Sequence, residues 1–482
     1  MQRYNVVVIG GGSAGLMVAA GAAGIGAKVA LVEGRQMGGD CLNYGCIPSK
    51  ALIHSARQVK NNHLASGRPG TVDTKQVWPG VAAHVQGAID TIAPHDSVER
   101  FQSLGVDVVL GKGRLLGKGG VEVTGPEGNV SRLESRAIVI ATGSSPAVPP
   151  VPGLEEAGFI TNEEVFSLEE LPKRMLVMGG GPIGCELGQS MARLGVHVIL
   201  AEFLPTLLPR EDPEVSALVA ESLSADGAQI YTGHKVTRVE VKGKAKKVFL
   251  SPVHGDVAQK EKSFEVDEIL VATGRSVNVE GLGLEDAGVK FNRTGIKVDA
   301  RLRTSAKNIY ACGDVAGPYL FTHTASQQAR VVIQNALLPV KSRMDYRVIP
   351  WCTYTDPEVA RVGLNEMEAK AKGIAVRKIT IPFSEIDRAV CEDDTVGHLS
   401  ILTPPGRSDI LGATMVGAHA GEMIHEVVLA MHARIGLDKL AQMIHIYPTR
   451  TEIFRRAADA SRKEGFTPIM QRLLSGYLRW RR

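Results

Sequence analysis

The stretch Asn5–Gly34, "NVVVIGGGSAGLMVAAGAAGIGAKVALVEG", decides how this chain folds. An apolar run from Val6 to Ile9 meets Gly10-x-Gly12-x-x-Gly15, then comes a small-residue segment, a second apolar run from Val29 to Val32, and Glu33. That order reads as strand, helix, strand and a closing acid, and each glycine has its own task. Gly10 permits a tight turn, Gly12 lets the backbone approach a pyrophosphate, and Gly15 lets the helix pack closely on the strand. The helix N-terminus offers unpaired N–H groups and a partial positive charge to phosphates, while Glu33 is placed to bind ribose hydroxyls.

The pattern recurs in Arg174–Phe203, "RMLVMGGGPIGCELGQSMARLGVHVILAEF". Gly179, Gly181 and Gly184 follow an apolar run, and Glu202 closes the second run at the same interval as Glu33 in the first copy. Two dinucleotide sites in one chain suit an enzyme that passes electrons from a nicotinamide to a bound flavin, with FAD in the first site and the nicotinamide in the second. A carboxylate at Glu202 would accept from a ribose 2′-hydroxyl and repel a 2′-phosphate, and the first arginine after it is Arg210, so NADH is expected over NADPH. "IVIATGSSP" (Ile138–Pro146) and "ILVATGRSV" (Ile269–Val277) read as strands that return the chain from each nucleotide unit. In "NIYACGDVAG" (Asn308–Gly317), Asp314 ends an apolar strand, where it is either an ordinary turn acid or a holder of a polyol.

A length of 482 residues implies about two to four domains. The 44% apolar and 22% charged composition is that of a folded globular chain, and a formal charge of +4 gives no overall signal for nucleic acid. The opening "MQRYNVVVIGGG" runs straight into a strand pattern without a cationic leader and h-region. No apolar run approaches the roughly 20 residues needed to span a bilayer, so a cytoplasmic location is expected.

Two of the six cysteines, Cys41 and Cys46, stand close together in "GGDCLNYGCIPSK" (Gly38–Lys50). In a reducing compartment such a pair is more often catalytic, redox-sensing or metal-binding than a structural staple. This separation can be bridged across an irregular turn running into a helix, and Pro48 suits the first turn of that helix. Cys46 then lies at a helix N-terminus with Lys50 nearby, a setting that favours thiolate. Zinc would need two more ligands, but Cys185, Cys312, Cys352 and Cys391 are isolated, so no metal site is expected and those four read as small buried residues.

Together, "GGDCLNYGCIPSK", the two glycine fingerprints, both Ala-Thr-Gly strands and "YACGDV" resemble the class I flavoprotein disulfide reductases, which include dihydrolipoamide dehydrogenase, glutathione reductase and mercuric reductase. The likeness extends through "IPWCTYTDPEVARVGLNE" (Ile349–Glu366) and "IPFSEIDRAV" (Ile381–Val390). It implies an α/β fold with two Rossmann-like domains and an α+β dimerisation domain, assembled as a homodimer. The expected divisions are 1–150 with 274–345 for FAD, 151–273 for NAD(P), 346–465 for dimerisation and 466–482 as a basic amphipathic tail. By the same resemblance, Cys46 faces the flavin, Cys41 exchanges with substrate, Lys50 pairs with Glu186 beside the flavin, and Asp314 binds the ribityl chain. Gly113, Thr142 and Gly143 would line FAD, and Val236 and Gly274 would line NAD.

One position departs from most relatives. The family's His-Pro-Thr-x-x-Glu stretch completes the partner's substrate site, but here "HIYPTRTE" (His445–Glu452) puts Tyr447 before the proline and keeps Glu452. A phenol is a poor base at pH 7, so oxidation of dihydrolipoamide is not the expected task. His445, two residues earlier, is either a substitute for that base, displaced along the strand, or a surface or interface residue, and the second reading is the expected one. Mercuric reductase also has tyrosine there, yet "QRLLSGYLRWRR" lacks the cysteine pair that hands it metal, and no N-terminal metal-binding module is expected. In the tail, Ile469, Leu473, Tyr477 and Trp480 recur at helical spacing among Arg472, Arg479, Arg481 and Arg482. It reads either as a helix packed on the enzyme body or as one that meets a membrane or a partner. The function expected is electron transfer from NADH through FAD and Cys41–Cys46 to a disulfide, metal ion or other small acceptor. The rivals are dihydrolipoamide dehydrogenase, a quinone-reducing diaphorase and a redox-sensing flavoprotein without turnover.

Overall fold

The computed structural model describes residues 3–65, 72–117, 119–243, 245–253, 261–464 and 468–482. The first two residues of the expected tail, 466 and 467, lie outside the described residues. The chain divides into two compact units, Met1–Phe203 with Gly227–Asp345, and Leu204–Asp226 with Tyr346–Arg482.

In the first unit, strands Arg3–Ile9, Val29–Glu33 and Val106–Leu110 run parallel, and Val130–Ile140 and Ile309–Ala311 extend the sheet on the other side. Val6 to Val8 and Val29 to Val32 are buried on both faces, which is why these strands read as unbroken apolar runs instead of alternating ones. The second glycine-rich segment builds a four-stranded parallel sheet in the order Gln229–Thr232, His197–Glu202, Arg174–Met178, Glu268–Val271. Just past the two Ala-Thr-Gly returns the chain meets itself: Arg275–Val277 pairs antiparallel with Ser144–Pro146. Thr142 Oγ1 donates to the Asn278 carbonyl at 2.7 Å, and Thr273 Oγ1 to that of Ala147 at 2.8 Å.

The two glycine turns are built alike. Gly10 and Gly179 both have φ of 109°, and a Cβ on either would lie 2.3 or 2.4 Å from the carbonyl oxygen of Ala141 or Ala272. Gly15 and Gly184 tolerate still less, since a Cβ there would sit 1.8 and 1.9 Å from the Gly10 and Gly179 oxygens. Gly12 and Gly181, which cap the helices Ser13–Gly24 and Pro182–Arg193, differ in kind. A Cβ on Gly12 would approach only Gly39 Cα at 3.8 Å, and one on Gly181 would meet nothing within 4 Å. The space before each helix is not needed by the protein's own packing, which is the condition for a ligand to use it.

The second unit carries a five-stranded antiparallel sheet in the order Pro350–Thr353, Glu358–Gly363, Gly412–Gly417, His398–Thr403, Arg377–Pro382. The helix Glu452–Glu464 buries Ile453, Phe454, Ala457 and Ala458 in the core with that sheet. Among the described residues no helix is long and apolar enough to cross a membrane.

Gly184→Ala is expected to cost about 1–3 kcal/mol of stability, read as a lowered Tm, because the helix must move off a backbone carbonyl. Gly181→Ala should leave Tm unchanged while weakening pyridine nucleotide binding, as measured by the KM for NADH.

Candidate active site

The cysteine segment is fastened to the first glycine turn by backbone contacts. Gly38 N donates to Gly11 O at 3.0 Å, and Gly39 packs so close that a Cβ on it would lie 2.7 Å from Gly12 Cα. With φ of 86° and 59°, Gly38 and Gly39 turn the chain in a conformation that favours glycine. One helical turn, Gly39–Asn43, carries Cys41, and after Tyr44 and Gly45 the helix Cys46–Ala65 begins at Cys46, with Pro48 in its first turn. Asn43 Nδ2 ties the loop by donating to the carbonyls of Met37 and Gly39 at 3.0 and 2.8 Å.

Both cysteines are free thiols, hydrogen-bonded to one another. That bond holds Cys46 down, to about 6, against its burial, with help from Thr322 and the charge of Lys50, while Asp40 opposes. The same bond, then burial, pushes Cys41 up. Thr322 Oγ1 lies 3.4 Å from Cys46 Sγ and opens the helix Thr322–Leu337, so Cys46 stands at its own helix N-terminus and beside another. Lys50 Nζ donates to Glu186 Oε2 at 2.8 Å, and the Glu186 side chain is only 8% exposed. A cavity of about 330 Å³ opens on Cys41, lined by Leu16, Met17, Ile47, Ile92 and Phe101 among others. Among the described residues that line it, Asp96 is the one carboxylate, raised by burial against the pull of His95, and there is no Lys or Arg.

The two closing acids are tied to their own turns: Glu33 accepts from Gly11 N and Glu202 from Gly180 N. Asp314 is held by a 2.5 Å hydrogen bond from Ser144 Oγ, and burial pushes its carboxyl up. Gly113 lies against Ile9 and Val32, and open space surrounds Gly143 and Gly274, which both have positive φ. Val236 is part-buried beside the core of the second nucleotide unit, in the strand His234–Lys242.

Cys41, Cys46, Lys50 and Glu186 thus share one unit, and Tyr447 and Glu452 belong to the other. There Tyr447 is 68% exposed, and its hydroxyl donates to Asp387 Oδ2 at 2.9 Å, which raises the phenol further. Glu452 is buried and accepts from Arg455 Nη2 at 2.6 Å. His445, expected at the surface or an interface, turns its side chain inward in this chain, with Nε2 lying 3.1 Å from Glu426 Oε1. Cys185 and Cys312 are buried as expected, but Cys391 is exposed, at the end of a short surface helix. The carboxylates of Asp212, Glu214 and Glu366 gather closely, yet Lys378 bridges Glu214 and Glu366, and Asp212 accepts from the backbone of Glu366 and Met367.

The sequence reading missed Arg275, Thr322 and Asp387. Arg275 directly follows the second Ala-Thr-Gly and bonds the Ser144 carbonyl at 2.8 Å and Asp40 at 3.1 Å. Its place in that motif was the available signal, whereas Thr322 and Asp387 meet their partners only through folding.

Known proteins with this arrangement are numerous. Residues 4–329 match the pyridine nucleotide-disulphide oxidoreductase family, and residues 349–458 match its dimerisation domain. The chain belongs to this family. As an oxidoreductase of this group it uses FAD and a pyridine nucleotide, and it carries the domain through which the family forms homodimers. It is 33% identical to a mercuric reductase from Staphylococcus aureus over 462 residues, covering 94% of this chain and 82% of that one. It is 36% identical to a dihydrolipoyl dehydrogenase from Thermus scotoductus over 480 residues, covering 96% and 98%. Among solved structures, the Cu(II) complex of the HOCl-induced flavoprotein disulfide reductase RclA from Escherichia coli aligns with a TM-score of 0.83 at 29% identity, covering 95% of this chain and all of that one. The family resemblance and the α/β architecture expected from the sequence are both borne out.

Because the folded state holds Cys46 low, thiolate absorbance of the reduced enzyme is expected to appear as pH rises through about 6. Lys50→Met should move that midpoint upward, since it removes a charge that favours the thiolate.

Proposed function

We propose that this oxidoreductase passes electron pairs from NADH through FAD and the Cys41–Cys46 pair to a soft metal cation. The observation that carries the reading is the cavity at Cys41, which among the described residues is lined by that thiol, one carboxylate and apolar walls and by no Lys or Arg, with Cys46 hydrogen-bonded to Cys41. Soft cations prefer thiolate ligands, and an anionic peptide disulfide would find no positive partner there.

The residues around the first glycine turn fit FAD: open space at Gly12, the acid Glu33 beside it, and the half-buried carboxylate of Asp314. The chemistry that bound FAD would supply there is conversion of a nicotinamide hydride into an electron pair for the cysteine disulfide. The disulfide takes up two electrons and two protons and opens to two thiols. Lys50, fixed by Glu186, and the start of the Thr322 helix stabilise the anion on Cys46. Cys41 faces the cavity and meets the acceptor with Cys46. As the disulfide re-forms, two protons leave and two electrons go to the acceptor, reducing one Hg(II) to Hg(0) or two Cu(II) to two Cu(I).

By the family resemblance, Tyr447 and Glu452 of the dimerisation domain are assigned to the substrate side of the partner subunit. Bonded to Asp387, Tyr447 can donate or hydrogen-bond but is a weak base, which separates this reading from a dihydrolipoyl dehydrogenase despite the 36% identity. The nicotinamide turn takes NADH in preference to NADPH because the Glu202 carboxylate repels a 2′-phosphate. A reducing cytoplasm would keep the pair available for turnover.

NADH oxidation measured with Hg(II), Cu(II), lipoamide, glutathione disulfide and a quinone tests the acceptor. The metals should be the best acceptors and Cys46→Ser should abolish their reduction, while Tyr447→His should raise the lipoamide rate about tenfold. Fast lipoamide turnover in the wild type, unchanged by Tyr447→His, would replace the proposal with the dehydrogenase reading. Glu202→Gln should narrow the preference for NADH over NADPH by about tenfold in kcat/KM.

A further inference from the structure

The last described helix, Pro468–Trp480, shows its apolar side chains to solvent. Ile469, Leu473, Leu474, Tyr477, Leu478 and Trp480 are between 45% and 80% exposed, so among the described residues this face is not covered by the packing on the enzyme body that the sequence allowed. On a wheel of about 3.6 residues per turn, these residues and Met470 fill one half of the circumference. Gln471, Arg472, Ser475, Gly476 and Arg479 fill the other. The match to the family's dimerisation domain spans 349–458 and does not include this helix.

Charge indicates what covers that face. The chain has 55 Lys and Arg against 51 Asp and Glu, a surplus of +4. Residues 468–482 contain Arg472, Arg479, Arg481 and Arg482 and no acid, which is also +4, so the rest of the chain sums to zero. Aromatic residues end the helix, with the Tyr477 and Trp480 rings 6.2 Å apart and the Arg481 guanidinium 5.9 Å from the centre of the tyrosine. Tyrosine and tryptophan are side chains whose apolar body and polar edge suit the boundary between lipid and water. A helix of 13 residues is about 20 Å long, too short to span a bilayer of about 30 Å but suited to lying along its surface.

We propose that Pro468–Trp480 is a membrane-surface anchor that binds anionic lipid, with its apolar half among the acyl chains and its arginines against the headgroups. The attraction joins apolar burial to charge, so it requires anionic lipid and weakens with salt. This anchor is independent of which acceptor the enzyme reduces.

The test is cosedimentation of the full-length FAD-loaded enzyme with vesicles of phosphatidylcholine alone or mixed with phosphatidylglycerol. Binding is expected only to the mixed vesicles and should fall as salt rises. The double variant Arg472→Gln/Arg479→Gln should weaken it about 30-fold, from the contribution of each basic residue near an anionic surface. Leu473→Gln/Trp480→Gln should abolish it, with NADH-oxidation rates and Tm in solution unchanged. Equal binding to both vesicle types, or to neither, would overturn the proposal. So would a change of oligomeric state on size exclusion in the Leu473/Trp480 variant, which would show that a second copy of the chain covers the face.

Discussion

The contact between the Gly10 carbonyl and the bare Cα of Gly15 sets the distance from which much of the first unit is built, and Gly179 with Gly184 repeats it. Where a Cβ would fall 1.8 Å from an oxygen, only glycine allows the helix to descend onto the strand. That descent brings the helix N-terminus to the sheet edge, with unpaired N–H groups turned toward the space kept open by Gly12. The cysteine segment inherits its position from the same turn, because Gly38 bonds Gly11 and Gly39 rests on Gly12. The first glycine turn and the thiols therefore share one anchor.

Around Cys46 the electrostatics oppose burial. Desolvation alone would keep both thiols protonated, and it is the hydrogen bond from Cys41, then Thr322 and Lys50, that favours the anion on Cys46. The asymmetry is useful. A pair in which one sulfur carries the charge and the other keeps the proton has one nucleophile and one partner already distinguished before an acceptor arrives. Cys312 illustrates the alternative: fully buried without such neighbours, its thiol is pushed up to about 12.

The dimerisation domain adds a different kind of group. With Asp387 holding its hydroxyl proton, Tyr447 is suited to donation and contact, and His445 is turned to Glu426. The chain thus keeps the disulfide chemistry of its family while presenting, at the position before the proline, a residue poorly suited to take a proton near neutral pH.

The duplicated glycine turns, their closing acids and the paired cysteines were legible because each depends on local spacing: strands buried on both faces read as apolar runs, and a tight turn admits only glycine. Family resemblance supplied the Lys50–Glu186 pair, which the fold realises across 136 residues of sequence. Thr322 at Cys46, Arg275 between Asp40 and Ser144, and Asp387 at Tyr447 left no comparable trace, since distant segments meet only when the sheets assemble. The inward turn of His445 and the solvent-facing apolar half of Pro468–Trp480 were likewise decided by the fold. Periodicity determines that a helix has an apolar face, but only tertiary packing decides whether anything in the chain covers it.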